Sequence, residues 1–358
     1  MAQYNFGFTD DVLRWITSFV TNRMQQVSYD GQLSPIRPVQ FGVPQGSVLG
    51  PLLFMLYTAD VSQVVANHGL QLHQYADDYQ VCVTTPVNDV ALAVDRLARC
   101  VSDVGEWMSS SRLRLNSSKT QAIWLGHKNQ IDRITIRSVP VLSSSVSVVD
   151  SVRDLGVVID SRLTMSDQVT ALCRAGYYQL RQLRPVARAL PEAAAKTLVQ
   201  AFISCRLDYC NALLYGITDN LFRRLQSIQN AAARLLTGTR RRDHISPVLS
   251  RLHWLPVKQR VVFKLATIVF KSLRGETPAY LADLCQLVAD SGRRHLRSAD
   301  ANALTVPRSN TRLGDRSFSV AGPKVWNSLP VALRQPHVEF GQFKRLLKTF
   351  MFGEAAAH

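Results

Sequence analysis

The sequence predicts an α+β protein whose first part combines helices with a small antiparallel sheet and whose second part is mostly α-helical. Up to about residue 160, short alternating apolar runs are separated by turn signals and by amphipathic helical patterns. Beyond about residue 165 the apolar period is that of helices, with Arg or Lys on the outer faces. We therefore predict three domains, at residues 1–160, 161–287 and 288–358.

The first part begins with a predicted amphipathic helix over residues 10–24, whose N-terminus Thr9 can cap. Two short strands, at 26–29 and 37–43, are predicted to be joined by a turn around Asp30-Gly31. This order of helix, strand and turn is typical of an α+β unit.

A second helix, predicted to be buried, covers residues 47–67 and ends near Gly69. A hairpin with strands at 70–76 and 79–83 follows, and Asp77-Asp78 is predicted at its turn. The remaining predicted elements of this part are a helix at 88–110 and short strands at 121–125, 131–136, 146–149 and 154–159.

The second part shows helical spacing in five stretches. They are residues 166–184, 191–205, 219–237, 257–273 and 338–351. The segment 288–325 is rich in Ser, Arg, Asp and Gly, so we predict that it forms loops.

The charge of the chain is distributed unevenly. Residues 1–160 contain 12 Lys or Arg and 14 Asp or Glu, whereas residues 161–358 contain 30 and 12. A near-neutral half joined to a strongly basic half indicates a polyanionic partner, most simply a nucleic acid. A generic basic surface is the alternative.

The six cysteines form no CxxC pair, and Cys205 and Cys210 have no histidine at zinc-ligand spacing. We therefore predict reduced, mostly buried thiols in an intracellular protein. The first residues lack the features of a signal peptide. The longest apolar run, 48–59, contains Gly50 and Pro51 and is too short to span a membrane, so no membrane partner is expected.

The adjacent carboxylates Asp77 and Asp78 form the first candidate site. A turn that holds two carboxylates offers oxygen ligands to a hard divalent cation such as Mg²⁺, which often also binds substrate phosphates. Taken alone, such a pair is more often a solvated turn. The upstream segment FGVPQGSVLGPLLF (41–54) changes this balance. It lacks the ending of a phosphate-binding P-loop, but Gly46 allows a flat ligand to approach the backbone and Gln45 offers an amide.

FGVPQGSVLGPLLF followed by YADD (75–78) resembles the reverse transcriptase of LINE-type, non-long-terminal-repeat (non-LTR) retrotransposons. The next motif of the family is similar to LRLNSSKTQAIWLG (113–126), and its primer-grip region is similar to VRDLGVVID (152–160). The segments AGPKVWNSLP (321–330) and FKRLLKTF (343–350) resemble the end of such open reading frames. The resemblance therefore covers nearly the whole chain.

This resemblance implies an RNA-directed DNA polymerase that uses an RNA template, a DNA primer and dNTPs. The reaction would be nucleotidyl transfer with two ions of Mg²⁺, or of Mn²⁺. Residues 1–160 would then be a partial palm, residues 161–287 a basic helical thumb or connection, and residues 288–358 a loop-rich linker with a C-terminal helix.

The resemblance also assigns roles to individual residues. Asp77 would be a catalytic metal ligand with Asp78 as its weaker neighbour, and Gln45 and Gly46 would contact the incoming nucleotide or the template. Lys119 would donate a proton near the leaving pyrophosphate, although an ordinary exposed lysine is the alternative. Tyr75 would lie near the primer end, and a core tyrosine is equally compatible with the sequence.

The palm of this family also needs an earlier strand with a bridging Asp, and fingers, upstream of the helix that FGFTDDVLRWITSFVTNRMQQV (6–27) resembles. We therefore expect this chain to lack them and to be inactive alone, unless a partner chain supplies them. A non-enzymatic, nucleic-acid-binding remnant is the alternative function. Asp10 and Asp11 fit better as first-turn helix residues than as replacements for the missing Asp.

Arginines in the basic half are predicted to contact the phosphate backbone of primer and template, because the guanidinium binds phosphate through a planar fork. A solvated face is the alternative. Trp254 and Trp326 could stack on bases, but buried packing is favoured. The arginines are Arg174, Arg181, Arg184, Arg188, Arg240, Arg241, Arg242 and those of GRRHLR (292–297).

Overall fold

The computed structural model describes residues 6–187, 189–291 and 302–357. The chain consists of two compact units, each treated below by itself. The first comprises Met1–Ala122 and Asp132–Val148, and the second comprises Ile123–Ile131 and Val149–His358. Helices and small antiparallel sheets are both present, so the predicted α+β class is confirmed.

The described residues of the first unit form four α-helices and four two-stranded antiparallel sheets. The helices are α1 (Asp10–Val20), α2 (Leu49–Tyr57), α3 (Val61–Asn67) and α4 (Val90–Ser110). The paired strands are β1 (Arg23–Gln25) with β4 (Arg37–Val39), β2 (Ser28–Tyr29) with β3 (Gln32–Leu33), β5 (Gln71–Tyr75) with β6 (Asp78–Cys82), and β7 (Ser138–Val141) with β8 (Ser144–Ser147).

The predicted turn at Asp30-Gly31 is present, but it joins strands shorter than predicted. Asp30 and Gly31 have φ of 48° and 74°, the left-handed pair that a type I′ turn requires. The turn closes the β2–β3 pair, and the β1–β4 pair lies outside it. Only residues 28–29 of the predicted strand at 26–29 form a strand, and β1 lies before the predicted segment.

Helix α1 begins at Asp10 as predicted, but its apolar face is not buried. Thr9 occupies the N-cap position without a side-chain hydrogen bond, and Asp10 and Asp11 lie in the first turn. None of the helix residues is buried, and Trp15 is 57% exposed. Amphipathic spacing thus predicted the start of the helix correctly, but the helix ends at Val20 and not at residue 24, and its apolar side is only partly covered, with Leu13, Ile16 and Phe19 half-buried.

The predicted buried helix at 47–67 is wrong in two respects. A turn at residues 58–60 separates α2 from α3, with Val61 N donating to Thr58 O at 3.1 Å. In α2 only Gly50 is buried, and Leu52 is 55% exposed. By length and composition, Leu49–Asn67 is apolar enough to cross a membrane, with a mean hydropathy of 1.4 and 22% burial. One segment of this kind is only weak evidence for a membrane-spanning helix.

The core of the first unit forms where the β5–β6 hairpin packs on α3 and α4. Alternate hairpin residues, including Leu72, Tyr79 and Val81, contact this core, as the period of a strand requires. Its buried residues are Val61, Val65, Leu70, Cys100, Val104 and Met108.

The second unit is mainly helical. Its described helices are α5 (Lys128–Ile131), α6 (Ser166–Ala187), α7 (Glu192–Val199), α8 (Cys205–Asp208), α9 (Asp219–Thr237), α10 (Ser246–Arg251), α11 (Val257–Ser272), α12 (Ala279–Ala282), α13 (Arg312–Arg316), α14 (Phe318–Ser328) and α15 (Phe340–Ala357). A single antiparallel pair, β9 (Ser151–Asp154) with β10 (Val157–Asp160), is found among its described residues. All five predicted helical stretches are therefore confirmed.

Two apolar clusters organise the second unit. The first joins β10, α6, α7, α9 and α11, and Leu225 and Ile228 at its centre are fully buried. The second joins α11, α14 and α15, where the Phe270 and Phe343 rings stack with centroids 4.2 Å apart. Aromatic stacking of this kind adds to the area-based gain of burial.

Four local predictions are wrong, and one of them is the strand at 154–159, which the turn between β9 and β10 divides. Residues 121–125 contain only an isolated bridge at Ala122, and the segment 131–136 forms no strand. Part of the predicted loop region 288–325 is helical, because α13 and most of α14 lie in it. A half-buried arginine attaches α13 to the rest of this unit: Arg316 Nε donates to Tyr215 O at 3.0 Å.

None of the six cysteines forms a disulfide, and they are less buried than predicted. Cys100 and Cys285 are buried, whereas Cys82, Cys205 and Cys210 are exposed. Burial raises the pKa of the Cys100 and Cys285 thiols above the ordinary cysteine value, so both are poor thiolates near neutral pH.

The close approach of α6 to α9 depends on Gly176. A Cβ at this position would lie 2.8 Å from Ile228 Cγ2. We expect Gly176→Ala to lower the free energy of unfolding by about 1–3 kcal/mol, because overpacking outweighs the better helix propensity of alanine. Urea unfolding followed by circular dichroism measures this change.

The matched control is Gly353→Ala in α15, where a Cβ meets no atom within 4 Å. This variant should be more stable by up to about 1 kcal/mol. Equal stability of Gly176→Ala and the unaltered protein would contradict the proposed packing.

Candidate functional site

The carboxylate pair lies at the tip of the β5–β6 hairpin. Tyr75 pairs with Asp78 in the ladder, so Ala76 and Asp77 form a two-residue turn, and Ala76 has a left-handed φ of 53°. Asp78 is therefore the first residue of β6 and not a turn residue as predicted. Both carboxylates are exposed.

The two faces of the hairpin differ. Gln74 and Tyr79 pair across the strands on the face that packs on the core. The paired Tyr75 and Asp78 lie on the opposite face, and Tyr75 is 67% exposed. The alternative of a core tyrosine at position 75 is therefore wrong.

One side-chain amide holds the turn in place. Gln74 Nε2 donates to Thr58 Oγ1 at 2.7 Å and to Ala76 O at 3.1 Å, and it lies 3.3 Å from the Tyr79 hydroxyl. Thr58 is fully buried at the junction of α2 and α3, and its hydroxyl donates to Phe54 O at 2.9 Å. The acidic turn is thus fixed to the helical layer below it.

The charge of the turn affects the pKa of Tyr79. Burial is the main cause that raises the Tyr79 pKa above its ordinary value, and the nearby Asp77 charge raises it further. Hydrogen bonding with Thr58 acts in the opposite direction and lowers the pKa. Tyr79 therefore senses the charge on Asp77.

The loop before α2 forms a tight turn. Ser47 N donates to Pro44 O at 3.2 Å, and Gly46 has a φ of 81°, which favours glycine at this position. Ser47 Oγ then accepts from Gly50 N at 3.1 Å at the start of α2. Gln45 and Gly46 are exposed at the tip of this turn, where a ligand can reach them.

The turn that contains Gln45 and the acidic hairpin lie at opposite ends of α2. The 1.5 Å rise per residue of a helix separates Ser47 from Thr58 by roughly 15 Å. The structure therefore places these predicted residues in one unit but does not bring their side chains into contact.

The segment that leads to Lys119 contacts the end of α2 and the loop that precedes this helix. The Arg112 guanidinium lies 3.6 Å from the centroid of the Phe41 ring, and the Tyr57 hydroxyl donates to Ser111 O at 2.7 Å. An open cavity of about 420 Å³ follows, lined by residues 114–118. Lys119 is exposed beside this segment, and in the described part of the chain it forms no ion pair with Asp77 or Asp78.

The oxygen donors of the carboxylate pair are of the type that a hard divalent cation prefers. Among the residues that the structure describes, no group of three or more His, Cys, Asp or Glu side chains could hold a metal ion. Two exposed carboxylates are nevertheless a suitable donor set for Mg²⁺, which completes its coordination with water and substrate phosphates. Asp77 and Asp78 are the residues that would hold it.

The predicted arginines of α6 are exposed in the second unit. Arg174, Arg181 and Arg184 all lie at the surface of this helix. Arg188 and the GRRHLR cluster (292–297) lie outside the described residues. The exposed positions agree with either phosphate contact or a solvated face.

The arginines at 240–242 lie on an ordered loop. The Arg234 guanidinium donates to Asp243 O at 3.2 Å, and Asp243 Oδ2 accepts from Arg240 N at 3.0 Å. Arg240, Arg241 and Arg242 are exposed on this loop. Arg234 and Asp243 therefore fix the loop on which the three arginines lie. Neither residue was among those predicted from the sequence.

The tryptophans are packing residues, as favoured by the sequence. Trp326 is 2% exposed, and its Nε1 donates to Asn302 O at 2.8 Å. Trp254 is half-buried against the first apolar cluster and against residues of α10. Base stacking on Trp326 is therefore excluded by burial.

Sequence reasoning missed Gln74 and Thr58. The signal was present, since Gln74 is a polar residue at an inward position of an alternating strand. A polar group at such a position needs a buried partner, but its identity requires the three-dimensional structure.

Comparisons with known proteins agree with these motifs. Residues 4–159 match the family model "Reverse transcriptase (RNA-dependent DNA polymerase)". A probable RNA-directed DNA polymerase from transposon X-element of Drosophila melanogaster is 31% identical over 230 residues, which are 62% of this chain and 24% of that protein. The RNA-directed DNA polymerase from mobile element jockey of Drosophila funebris is 30% identical over 44% of this chain and 17% of that protein.

A third relative is the retrovirus-related Pol polyprotein from the type-1 retrotransposable element R1 of Nasonia vitripennis. It is 25% identical over 60% of this chain and 65% of that protein. The chain spans about a quarter or less of the length of the first two relatives. No solved structure matches the chain.

The pKa of Tyr79 reports the charge at Asp77. We expect Asp77→Asn to lower the Tyr79 pKa, because it removes a negative charge that disfavours the phenolate. Thr58→Val should raise this pKa, because it removes the hydrogen bond that lowers it. Ultraviolet difference titration against Tyr79→Phe isolates the signal of this tyrosine.

The control is Asp30→Asn, which changes an exposed turn carboxylate of another hairpin in the same unit. It should leave the Tyr79 pKa unchanged. An Asp77→Asn variant that shifts this pKa upward or not at all would contradict the described turn.

Proposed function

We propose that this chain, whose residues 4–159 belong to the reverse transcriptase family of non-LTR retrotransposons, takes part in RNA-directed DNA synthesis. The observation that carries the proposal is the exposed Asp77-Asp78 pair on a turn that Gln74 fixes to buried Thr58. A metal-dependent reaction needs ligands held in a defined position, which this arrangement supplies.

In this proposal Asp77 is the main metal ligand and Asp78 its neighbour. Bound Mg²⁺ or Mn²⁺ would supply Lewis-acid chemistry at the primer 3′-oxygen and at the pyrophosphate. The Gln74 amide would keep the Asp77 carboxylate in place, since it donates to the carbonyl of the preceding Ala76 at 3.1 Å. A further carboxylate would complete the site from outside the described residues, in a longer protein or in a partner chain.

The other predicted residues take roles around this pair. Gln45 and Gly46 would contact the incoming dNTP or the template, and the exposed Tyr75 would lie near the primer end. Lys119 would donate a proton to the pyrophosphate. The first unit would thus be part of a polymerase palm, and the basic second unit would be a thumb that contacts RNA template and DNA primer.

A second candidate function is nucleic-acid binding without catalysis. The ordered loop that presents Arg240, Arg241 and Arg242 favours it, because its order depends on Arg234 and Asp243 and not on the acidic hairpin. Binding and catalysis would then be separable properties of the chain.

Primer extension separates the two candidates. We expect a protein that combines this chain with the further carboxylate, from a longer protein or a partner chain, to extend a DNA primer on an RNA template with dNTPs and Mg²⁺. Asp77→Asn should reduce the extension rate at least about a hundredfold, because it removes an anionic metal ligand. The measurement is single-turnover extension on a denaturing gel, with Asp30→Asn as the matched turn control.

Each result has a definite meaning. Extension that depends on Asp77 supports the polymerase. No extension, with binding to the same primer–template that weakens as salt rises, supports the non-enzymatic alternative. Extension that is equal in Asp77→Asn and the unaltered protein would contradict the assigned metal ligand.

The arginine loop should determine part of the salt dependence of binding. We expect combined replacement of Arg240, Arg241 and Arg242 by Gln to reduce the slope of log affinity against log salt by about 2–3, because each phosphate contact contributes nearly one. Fluorescence anisotropy with a labelled duplex at several salt concentrations measures this slope.

Arg99→Gln serves as the charge control, since Arg99 pairs with Asp95 at 3.0 Å on α4 of the first unit. It should leave the slope nearly unchanged. An equal reduction in both variants would indicate that net charge, and not the loop, determines binding.

A further inference from the structure

Helix α6 has a face on which arginine and tyrosine side chains are interleaved. Tyr178 follows Arg174 by four residues and precedes Arg181 by three, so the three side chains are neighbours on the helix surface. Tyr178 is 55% exposed, and both arginines are exposed as well. An aromatic ring is therefore flanked on both sides by guanidinium groups.

The opposite side of α6 fixes the direction of this face. Gly176, Leu180 and Leu183 are buried, and Gly176 packs closely against Ile228 of α9. The helix cannot rotate without losing this contact. The exposure of Tyr178 is thus a property of the packed second unit.

Polar contacts with α9 reinforce this orientation. The Tyr177 hydroxyl is hydrogen-bonded to the Ser227 hydroxyl, and Arg224 Nη2 donates to Thr170 Oγ1 at 3.0 Å. Tyr177 is therefore attached to α9, whereas the ring of Tyr178 is presented to solvent. The two adjacent tyrosines have different roles.

The charge of the face has one sign over most of its length. The single acidic residue of α6 is Asp167, in the first turn and two turns before Arg174. Arg184 lies in the last turn, where a cation also complements the helix dipole. That effect accounts for Arg184, but it does not account for an exposed aromatic ring between Arg174 and Arg181.

We propose that this face binds an unpaired nucleotide strand, with the Tyr178 ring stacking on a base and Arg174 and Arg181 contacting the flanking phosphates. The proposal deepens the proposed nucleic-acid function and rests on it. Bases inside a duplex are already stacked on each other, so a ring on a helix surface reaches only an unpaired base. Every base has a π face, so recognition would be independent of sequence.

The test uses the full chain and two labelled probes of equal length, an oligothymidylate and an abasic oligodeoxyribonucleotide. We expect Tyr178→Ala to bind the oligothymidylate about five- to tenfold more weakly while its affinity for the abasic strand changes by less than about twofold, because only the first strand can stack. Fluorescence anisotropy at fixed salt measures both affinities.

Two variants serve as controls. Tyr178→Phe keeps the ring and should bind both strands as the unaltered protein does. Tyr280→Ala removes a tyrosine of the same unit that is 70% exposed and lies on the short helix α12, which has no arginine. It should not change the affinity for either strand.

Arg174→Gln with Arg181→Gln should weaken binding of both strands by similar factors.

Other outcomes overturn the proposal in distinguishable ways. If Tyr178→Ala changes the affinity for neither strand, or weakens both equally, stacking is excluded. Salt-dependent binding of the primer–template in that case would still support the proposed function. If Tyr178→Ala changes only self-association in sedimentation velocity, the face is a protein interface. If the unaltered chain binds no strand and no duplex, this inference and the proposed function both fail.

Discussion

The hydrogen bonds of the Gln74 amide are the interaction on which the candidate site depends. One Nε2 group is within hydrogen-bond distance of Thr58 Oγ1, Ala76 O and the Tyr79 hydroxyl, which belong to the helical junction, the turn and the second strand. The Thr58 hydroxyl is buried, and an unsatisfied buried polar group costs about 1–3 kcal/mol. Displacement of the Gln74 amide would remove the hydrogen bond that Thr58 Oγ1 accepts and so incur part of that cost, since the hydroxyl would still donate to Phe54 O. The position of Asp77 therefore follows from a buried polar network and not from the ladder alone.

The site could be predicted from the sequence only as far as local patterns extend. The turn signal at Asp77-Asp78 predicted the hairpin, and the family resemblance of the motifs provided the proposed role of Asp77. The ladder register was not available, so Asp78 was placed in the turn although it pairs with Tyr75 in the structure. A shift of one residue reverses the faces of a strand, which is also why the exposure of Tyr75 required the structure. The partner of Gln74 is 16 residues away in sequence, and no local pattern specifies it.

The fold was predictable where one element contains its own signal. Helices such as α4 and α9 have a sustained apolar period and were identified correctly. Short strands depend on their partners, so the segment 131–136 was assigned wrongly and β2–β3 was not separated from β1–β4. Amphipathic spacing predicts that a helix has an apolar face, but it does not identify what covers that face, as the exposed Trp15 demonstrates.

Charge count alone overstates how many arginines are available to a ligand. Arg316 donates to backbone carbonyls inside the second unit, and Arg260 pairs with Asp208, so both groups are engaged in the fold. Arg234 likewise holds the loop that presents its neighbours. The exposed arginines of that loop and of α6 differ from these three residues. Their backbone, and not their guanidinium groups, is held by the structure. Among the described residues, the basic half of the chain thus contains two sets of arginines, one that stabilises the fold and one that is exposed and that we propose to contact a polyanion.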